Sequence, residues 1–484
     1  MTPDVVEFAP LAAEIFVLAM ASFILVLDAY LPDSRRLIAF RLTQLTLLGA
    51  AILTWTQHQE MIGHTDRMVL LGGTYVADTM SMVLKMAVYV ISAGVFLYSR
   101  DYLRDRGILK GEYFVLGLFG VLGMMVMISA HNMLTVYLGL ELLSLSMYTM
   151  VAFQRDNGVA SEAAMKYFVL GAIASGMLLY GISMIYGATG SLDLAAIGRY
   201  VAENGVTDNK ILAFGIVFIV AGLAFKLGNA PFHMWVPDIY NGAPTAVTLY
   251  IGAAPKIAAF AMVIRVLVEG LGGMHADWTP MLIILAIASL AVGNVIAIAQ
   301  TNIKRMLAYS TISHMGFVVL GILAANKAGY SGAMFYAITY ALTSAGGFGL
   351  LVVLSRAGFE AEKLDDLKGL NDRNPWLAFL MLLLMFSMAG VPPTVGFYAK
   401  LSVLQAVISA DMVWLAAVAV FFSIIGAFYY IRIVKLMYFD KPEDEAPIQA
   451  GFDTQMVLGA NGLAVLALGI YPAGLMAWCA AALG

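Results

Sequence analysis

Glu141, Lys226, Lys256 and Lys400 lie in stretches made otherwise of apolar and small residues, such as Leu138-Gly139-Leu140-Glu141-Leu142-Leu143 and Phe225-Lys226-Leu227. An ammonium or carboxylate taken out of water needs a partner, a hydroxyl or a water molecule. When that partner moves, the group's proton affinity changes. The chemistry suggested is therefore an ion pathway at membrane depth, not a lipid-facing wall. Insertion scales charge about 3 kcal/mol per central lysine, so the three cost on the order of 9 kcal/mol against total stabilities of about 5–15 kcal/mol. A set that costly implies a task.

Other residues join this set less directly. Glu141 is expected to face a lysine of another span; the alternative is a neighbouring hydroxyl. Lys166 is near enough to a helix end to snorkel its ammonium to the surface. His233 and His314 can relay protons near neutral pH, or can be satisfied core histidines. Tyr309, Ser310, Thr311 and Ser313 surround His314 with hydroxyls able to order water. Asp78 and Lys85 are expected to pair with each other or with lipid headgroups, and Arg265, near a helix end, to be structural.

The elements that position these groups follow from composition. The 484 residues are 61% hydrophobic and 12% charged, with a mean hydropathy of +0.86. That describes an all-α polytopic membrane protein of about fourteen spans. The single cysteine, Cys479, excludes an intrachain disulfide and a cysteine-rich metal or iron–sulfur site. The thirty methionines are adaptable packing and not a copper site. No GxGxxG before a strand, no Walker loop and no CxxC occurs, nor any pattern for haem or flavin attachment. Asp4, Glu7 and Glu14 flank or enter the first apolar segment, the wrong charge for a signal peptide, so it is expected to be retained.

Two spans contain breaks. In the seventh, near 211–237, Gly228, Pro231 and Pro237 stand where the helix should continue. In the twelfth, near 376–409, the break is Ala389-Gly390-Val391-Pro392-Pro393-Thr394-Val395-Gly396. Proline removes a backbone donor and clashes with the preceding turn. In lipid such a break survives only where protein or a water-filled cavity satisfies the freed groups. The breaks lie five spans apart and so run in opposite directions, the mark of inverted repeats. The expected division is an N-terminal three-helix segment (1–111), a first five-helix repeat of spans 4 to 8 (112–268), a second of spans 9 to 13 (280–438) and a last helix (454–484). The third span is placed near 73–98, the eighth near 243–268 and the fourteenth near 454–481, with a short surface helix at 192–201.

Basic residues set the topology. One side receives most of them, Arg35, Arg36, Arg104, Lys110, Arg305 and Lys363 among others; the opposite side receives only Arg67, Arg199, Lys210 and Lys327. The basic side is expected to be cytoplasmic, which puts both termini outside.

Three composite motifs carry a family resemblance: FKLGNAPFHMWVPDIYNGAPT from Phe225, APK ending at Lys256, and IKRMLAYSTISHMG from Ile303. They resemble the antiporter-like proton-channel subunits of respiratory complex I, and the similarity runs from about the fourth span to the thirteenth. Lys400 differs from the carboxylate that the M-type sibling carries there, and the lateral C-terminal helix of the L-type sibling has no counterpart here. The resemblance implies that Glu141 and Lys226 form the glutamate–lysine pair, that Lys256 and Lys400 are the central and terminal lysines, that Lys166 is the sixth-helix lysine, and that His233 and His314 bridge between them. It implies a proton-translocating subunit of a bacterial inner-membrane NADH–quinone oxidoreductase, driven by chemistry elsewhere. NADH, FMN, iron–sulfur clusters and quinone are then expected in partner subunits, with no cofactor in this chain. Its partners would be the other membrane and peripheral subunits, above all the antiporter-like siblings, together with membrane lipids and no nucleic acid. The alternatives are a subunit of a multisubunit sodium–proton antiporter and a non-pumping scaffold.

Overall fold

The computed structural model describes residues 8–32, 35–61, 67–204, 210–443, 446–448 and 450–483; Asp4 and Glu7 lie outside them. Among the described residues, thirteen helices are long and apolar enough to cross a membrane. The helices Pro375–Ala389 and Val395–Ser409 are each shorter and together make one further crossing. The described residues thus hold fourteen candidate spans, with spans 7 and 12 broken.

Asparagine side chains start many of these helices. Asn132, Asn157, Asn302, Asn326 and Asn374 accept backbone N–H groups at the starts of spans 5, 6, 10, 11 and 12. Each receives one of the donors that a helix N-terminus leaves free.

Burial sorts the spans into a centre and a rim. The apolar window of span 10 (Ile303–Leu323) is 100% buried, and those of span 8 (Thr245–Gly270) and span 11 (Lys327–Leu354) are each 94% buried. Span 1 (Ala9–Tyr30), at 28%, and span 13 (Val413–Phe439) and Phe452–Ile470 of span 14, at 33% each, face outward. Lys256 and His314 therefore sit on helices shielded from lipid.

Several boundaries differ from the sequence reading. Span 3 begins at Thr79, not near 73, because the preceding residues form a hairpin of β1 (Arg67–Leu70) and β2 (Tyr75–Asp78). Asp78 ends that hairpin and caps span 3 by accepting from Ser81 N–H at 2.8 Å. Span 8 is interrupted: Thr245–Gly252 stops, Pro255 restarts it, and a wider π-helical turn occupies Ile264–Gly270. Span 14 breaks before Pro472, between Phe452–Ile470 and Ala473–Ala482. The short surface helix is present as Leu194–Asn204.

The hairpin side is tied down by ion pairs. Arg265, fully buried, lies 2.8 Å from Asp78 and 2.5 Å from Glu269, and Arg67 lies 2.5 Å from Glu269. Asp78 thus pairs with Arg265 and not with Lys85, which takes Glu14 at 2.5 Å. Arg265 thereby joins span 8 to the end of the hairpin. On the opposite side, residues around Glu362 and Lys363 bond to the turn before span 10.

Candidate functional site

Both broken helices end in the same way. In span 7 the helix Lys210–Leu227 is followed by Gly228 at φ +85°. The Gly228 N–H donates to Phe225 at 3.0 Å, and the Asn229 N–H to Ala224 at 2.9 Å. In span 12, Gly390 follows at φ +86°, donating to Ser387 at 3.0 Å, and the Val391 N–H donates to Phe386 at 2.9 Å. These are Schellman closures, for which glycine suits the left-handed position. A cis X-Pro bond follows each glycine at the same spacing, Ala230-Pro231 and Pro392-Pro393.

A Schellman closure leaves the final carbonyls of the helix without N–H partners, and lysines occupy them here. Lys256 Nζ donates to the Leu227 carbonyl at 3.2 Å. Lys400 Nζ donates to Met388 at 3.1 Å and Ala389 at 2.9 Å, and to Ser423 Oγ at 2.9 Å. Cations at helix C-termini are also favoured by the backbone dipoles. Each ammonium faces an aromatic ring, Lys256 that of Trp235 at 5.2 Å and Lys400 that of Phe317 at 5.3 Å.

Lys226 does not reach its own break. Its Nζ donates to Ser144 Oγ at 2.9 Å, while the buried Glu141 Oε1 has no hydrogen-bond partner. Among the described residues no ion pair joins Glu141 to Lys226, which corrects the expectation of direct contact. Ser144 lies one turn after Glu141 on the same helix, but its hydroxyl bonds the lysine, and Glu141 Oε1 is not satisfied by it. A small cavity of about 20 Å³ is lined by Ser144, Tyr167, Lys226, Trp235 and Lys256, enough for about one water.

Lys166 stands apart. It is 45% exposed in its side chain and pairs with Glu162 at 2.9 Å and Asp238 at 3.2 Å; Asp238 also pairs with Arg305 at 2.9 Å. This is a surface charge cluster, and the structure does not bring Lys166 to the other lysines. His233 lies at the break of span 7, half-buried, with its Nδ1 unpartnered.

His314 is a node. Its Nδ1 lies 2.8 Å from the Tyr336 hydroxyl and its Nε2 3.0 Å from that of Tyr430, which in turn lies 2.5 Å from Ser310 Oγ. Tyr340 donates to Thr311 at 2.7 Å. A cavity of about 10 Å³, near the size of one water, is lined by His314, Tyr340, Thr343, Ser387 and Met388 among others. Toward span 8, Ser344 donates to the Gly252 carbonyl at 2.9 Å, three residues before the proline that precedes Lys256.

The sequence reading did not single out Tyr336, Tyr340, Thr343 and Ser344, nor Ser144, Asp238, Ser387, Ser423 and Tyr430. The signal for the first four was present. They recur at helical spacing in span 11, a polar stripe on an otherwise apolar helix. Among the described residues no group of three or more His, Cys, Asp or Glu side chains is placed to hold a metal ion.

Residues 130–426 match the family described as NADH:quinone oxidoreductase/Mrp antiporter, TM. A protein of Thioalkalivibrio sulfidiphilus named NADH-quinone oxidoreductase subunit N is 62% identical over 476 residues, covering 98% of each chain. A chain of respiratory complex I from Thermus thermophilus superposes with a TM-score of 0.82 at 29% identity, covering 97% of this chain and 100% of that one. A chain of the Mrp complex from a Dietzia species gives 0.85 at 20% identity, covering 100% of this chain and 97% of that one, a likeness of fold alone. Spanning more than half its length with the family match and nearly all of it with a close relative, this chain belongs to the NADH:quinone oxidoreductase/Mrp antiporter transmembrane family.

Proposed function

We propose that this chain conducts protons as a membrane subunit of an NADH–quinone oxidoreductase, in the place that subunit N holds among its relatives. The observation that carries the reading is the pair of lysines seated on the carbonyl ends of the two broken helices, with a hydroxyl-lined row between them. From the break in span 8 the polar groups run through Ser344, Tyr340 and Thr343 to His314, then by Ser387 and the Met388 carbonyl to Lys400. Lys226 and Ser144, on the helix of Glu141, form the other end, joined to Lys256 by the cavity that they line together with Trp235. Glu141, Lys226, His233, Lys256, His314 and Lys400 are the proposed relay. Lys166 would act at the surface cluster with Asp238.

Energetics permit coupling. Moving one charge against about 150 mV costs roughly 3.5 kcal/mol, at 2.3 kcal/mol per 100 mV. Separating a buried charge from its partner costs about 3–5 kcal/mol. Moving Glu141 toward or away from Lys226 therefore alters the lysine's hold on its proton by a sufficient amount. Quinone reduction in other subunits would drive that motion.

The remaining parts of the reading are proposals of the same kind. The hairpin side, poor in basic residues, faces outward from a bacterial inner membrane and carries both termini. The repeats divide near 112–268 and 280–438, flanked by segments 1–111 and 454–484. The antiporter-like siblings are the neighbours in the membrane, and the redox groups lie in other subunits. A stoichiometric flavin, haem or iron–sulfur absorbance from the purified chain would contradict that last assignment. A sodium–proton antiporter subunit shares this fold, but the 62% identity to a named oxidoreductase subunit favours the first reading. Sodium-dependent transport by the isolated complex would reverse that preference.

The test is Lys226→Ala in the whole complex, assayed in inverted vesicles given NADH. Assembly on native gels should be retained, with proton pumping and coupled quinone reduction impaired. An assembled variant with native pumping would refute the relay role.

A further inference from the structure

Tyr240 belongs to the short helix Trp235–Gly242 that follows the break of span 7. It is fully buried, and its hydroxyl has no hydrogen-bond partner. Buried polar atoms are rarely left so, and an unbonded donor carries its full desolvation penalty. The ring does not need the hydroxyl for packing. It meets Phe348 edge-on at 5.8 Å and Trp235 at 6.4 Å between centroids, contacts that a phenylalanine would make equally well.

The backbone around it is fixed. Thr248 Oγ1 donates to the Tyr240 carbonyl at 2.9 Å. At the end of the short helix the buried Lys304 donates to the Ala243 carbonyl at 3.3 Å, and Arg305 pairs with Asp238 at 2.9 Å. The ring is thus held in place while its hydroxyl proton remains free to turn.

Its neighbours place it inside the proton row. Side chains of a helix lean toward its N-terminus, so Tyr240 leans back over Val236, one turn earlier on the same face. Val236 Cγ2 and Lys256 Nζ stand 2.8 and 3.9 Å from the position that a Cβ on Gly228 would take. This face of the helix is therefore the one beside the Lys256 ammonium. Thr311 and Tyr340 also stand beside Tyr240. Their own protons are placed: Tyr340 donates to Thr311 at 2.7 Å, and Thr311 to the Leu307 carbonyl at 2.9 Å. Ser344, the hydroxyl of the row toward span 8, gives its proton to the Gly252 carbonyl. Among these four hydroxyls, only that of Tyr240 is uncommitted.

We propose that Tyr240 is a further relay residue, the free donor between Lys256 and Tyr340. The inference rests on the proton-conducting role of the chain. A proton given up by the Lys256 ammonium is taken by the Tyr240 oxygen as the phenolic proton passes to the oxygen of Tyr340. Tyr340 releases its own proton toward His314, whose ring lies 4.8 Å away. Lys256 is left as the neutral amine, one proton has moved along the row, and turning of the Tyr240 hydroxyl restores the donor. The transfers are concerted, so no phenolate forms.

The test is Tyr240→Phe in the whole complex, beside Lys226→Ala and Tyr113→Phe. Tyr240→Phe keeps the ring and loses only the hydroxyl. Assembly on native gels and resistance to heat should match the native complex, while NADH-driven pumping falls about fivefold, the equivalent of one hydrogen bond. Tyr113 is the opposite case, a buried hydroxyl outside the row that bonds Ser99 Oγ at 2.9 Å and the Ala246 carbonyl at 3.1 Å. Tyr113→Phe should inactivate sooner on heating and pump normally once assembled. Native pumping by Tyr240→Phe where Lys226→Ala is impaired overturns this assignment and leaves the proton-conducting reading standing. Native pumping by both removes that reading as well. Loss of assembly or of heat resistance in Tyr240→Phe, to the extent seen in Tyr113→Phe, would mark a structural hydroxyl and also overturn the proposal.

Discussion

Lys256 donates to the carbonyl of Leu227 across 3.2 Å, so a lysine of span 8 closes the broken end of span 7. Lys400 does the same at the end of Pro375–Ala389 from within its own broken span. The inverted repeats thus share a chemical solution, an ammonium on the carbonyls that a Schellman turn leaves free, reached by different connections. Such a seat has two properties a relay needs. It holds a cation without a fixed counter-charge, and it lies where the interrupted backbone leaves room for water. In span 7 the lysine of the broken helix, Lys226, turns instead to Ser144, and Glu141 Oε1 is left without a hydrogen-bond partner.

The first prediction concerns Glu141. Glu141→Gln keeps the shape and loses the charge, so it should impair pumping strongly. Glu141→Asp keeps the charge on a shorter stem and should retain part of it. NADH-driven acidification of inverted vesicles gives both values. A native-like Gln variant beside an inactive Asp variant would mean that packing governs this position.

The second concerns the two glycines that let lysine and carbonyl meet. A Cβ on Gly390 would lie 2.9 Å from Lys400 Cδ and 3.3 Å from its Nζ; one on Gly228 would lie 2.8 Å from Val236 Cγ2. The left-handed conformation alone costs a non-glycine residue about 1–2 kcal/mol. Gly390→Ala should therefore destabilise the complex by about that amount and also displace the Lys400 ammonium, lowering pumping in complex that remains assembled. Gly358→Ala is the control, because φ is +77° there with nothing within 4 Å of the added Cβ. Equal thermal inactivation and equal pumping in the Gly390 and Gly358 variants would show that the seat of Lys400 does not matter.

Much of this architecture could be read from the chain. The broken spans were legible because Gly228 and Pro231, and Gly390 and Pro392-Pro393, interrupt apolar runs too long for single crossings, and proline acts through local backbone geometry. The lysines were legible because charge is rare in such runs. Contacts between spans were not. Asp78 and Lys85 look like a pair at one helical spacing, yet Asp78 turns to Arg265, distant in sequence, because β2 ends there and directs it toward span 8. The interruption of span 8 was signalled only by Pro255, which is also acceptable as the first residue of a helix. Lys166 is close enough to a helix end to snorkel, and Glu162 and Asp238 hold it at the surface; only the resemblance to the family put it with the other lysines. The stripe of hydroxyls on span 11 was visible as periodicity, and it gained meaning only when span 11 proved to lie between the two broken helices.

The last prediction is that Lys256 and Lys400 belong to one path running along the membrane, with span 11 as its middle. Proton transfer by relay needs successive polar groups or waters within hydrogen-bond reach. The geometry supplies most of them: Ser344 on the Gly252 carbonyl, Tyr340 on Thr311, His314 between Tyr336 and Tyr430, and Lys400 on Met388. The weakest link is the cavity of about 10 Å³ beside His314, Thr343 and Ser387, which has room for only about one water. Thr343→Val preserves the shape and removes a hydroxyl from the lining of that cavity. It should lower NADH-driven pumping several-fold while every lysine stays in place, and Thr339→Val on the same cavity should do so as well. The loss of one neutral hydrogen bond, about 1 kcal/mol, sets that scale and predicts no loss of assembly. An experimental map should show an ordered water between His314 and the Ser387 turn in the native protein and none in the Thr343 variant. A dry apolar layer between Lys256 and Lys400 in every captured state, or full pumping by both valine variants, would divide the row into two separate pores.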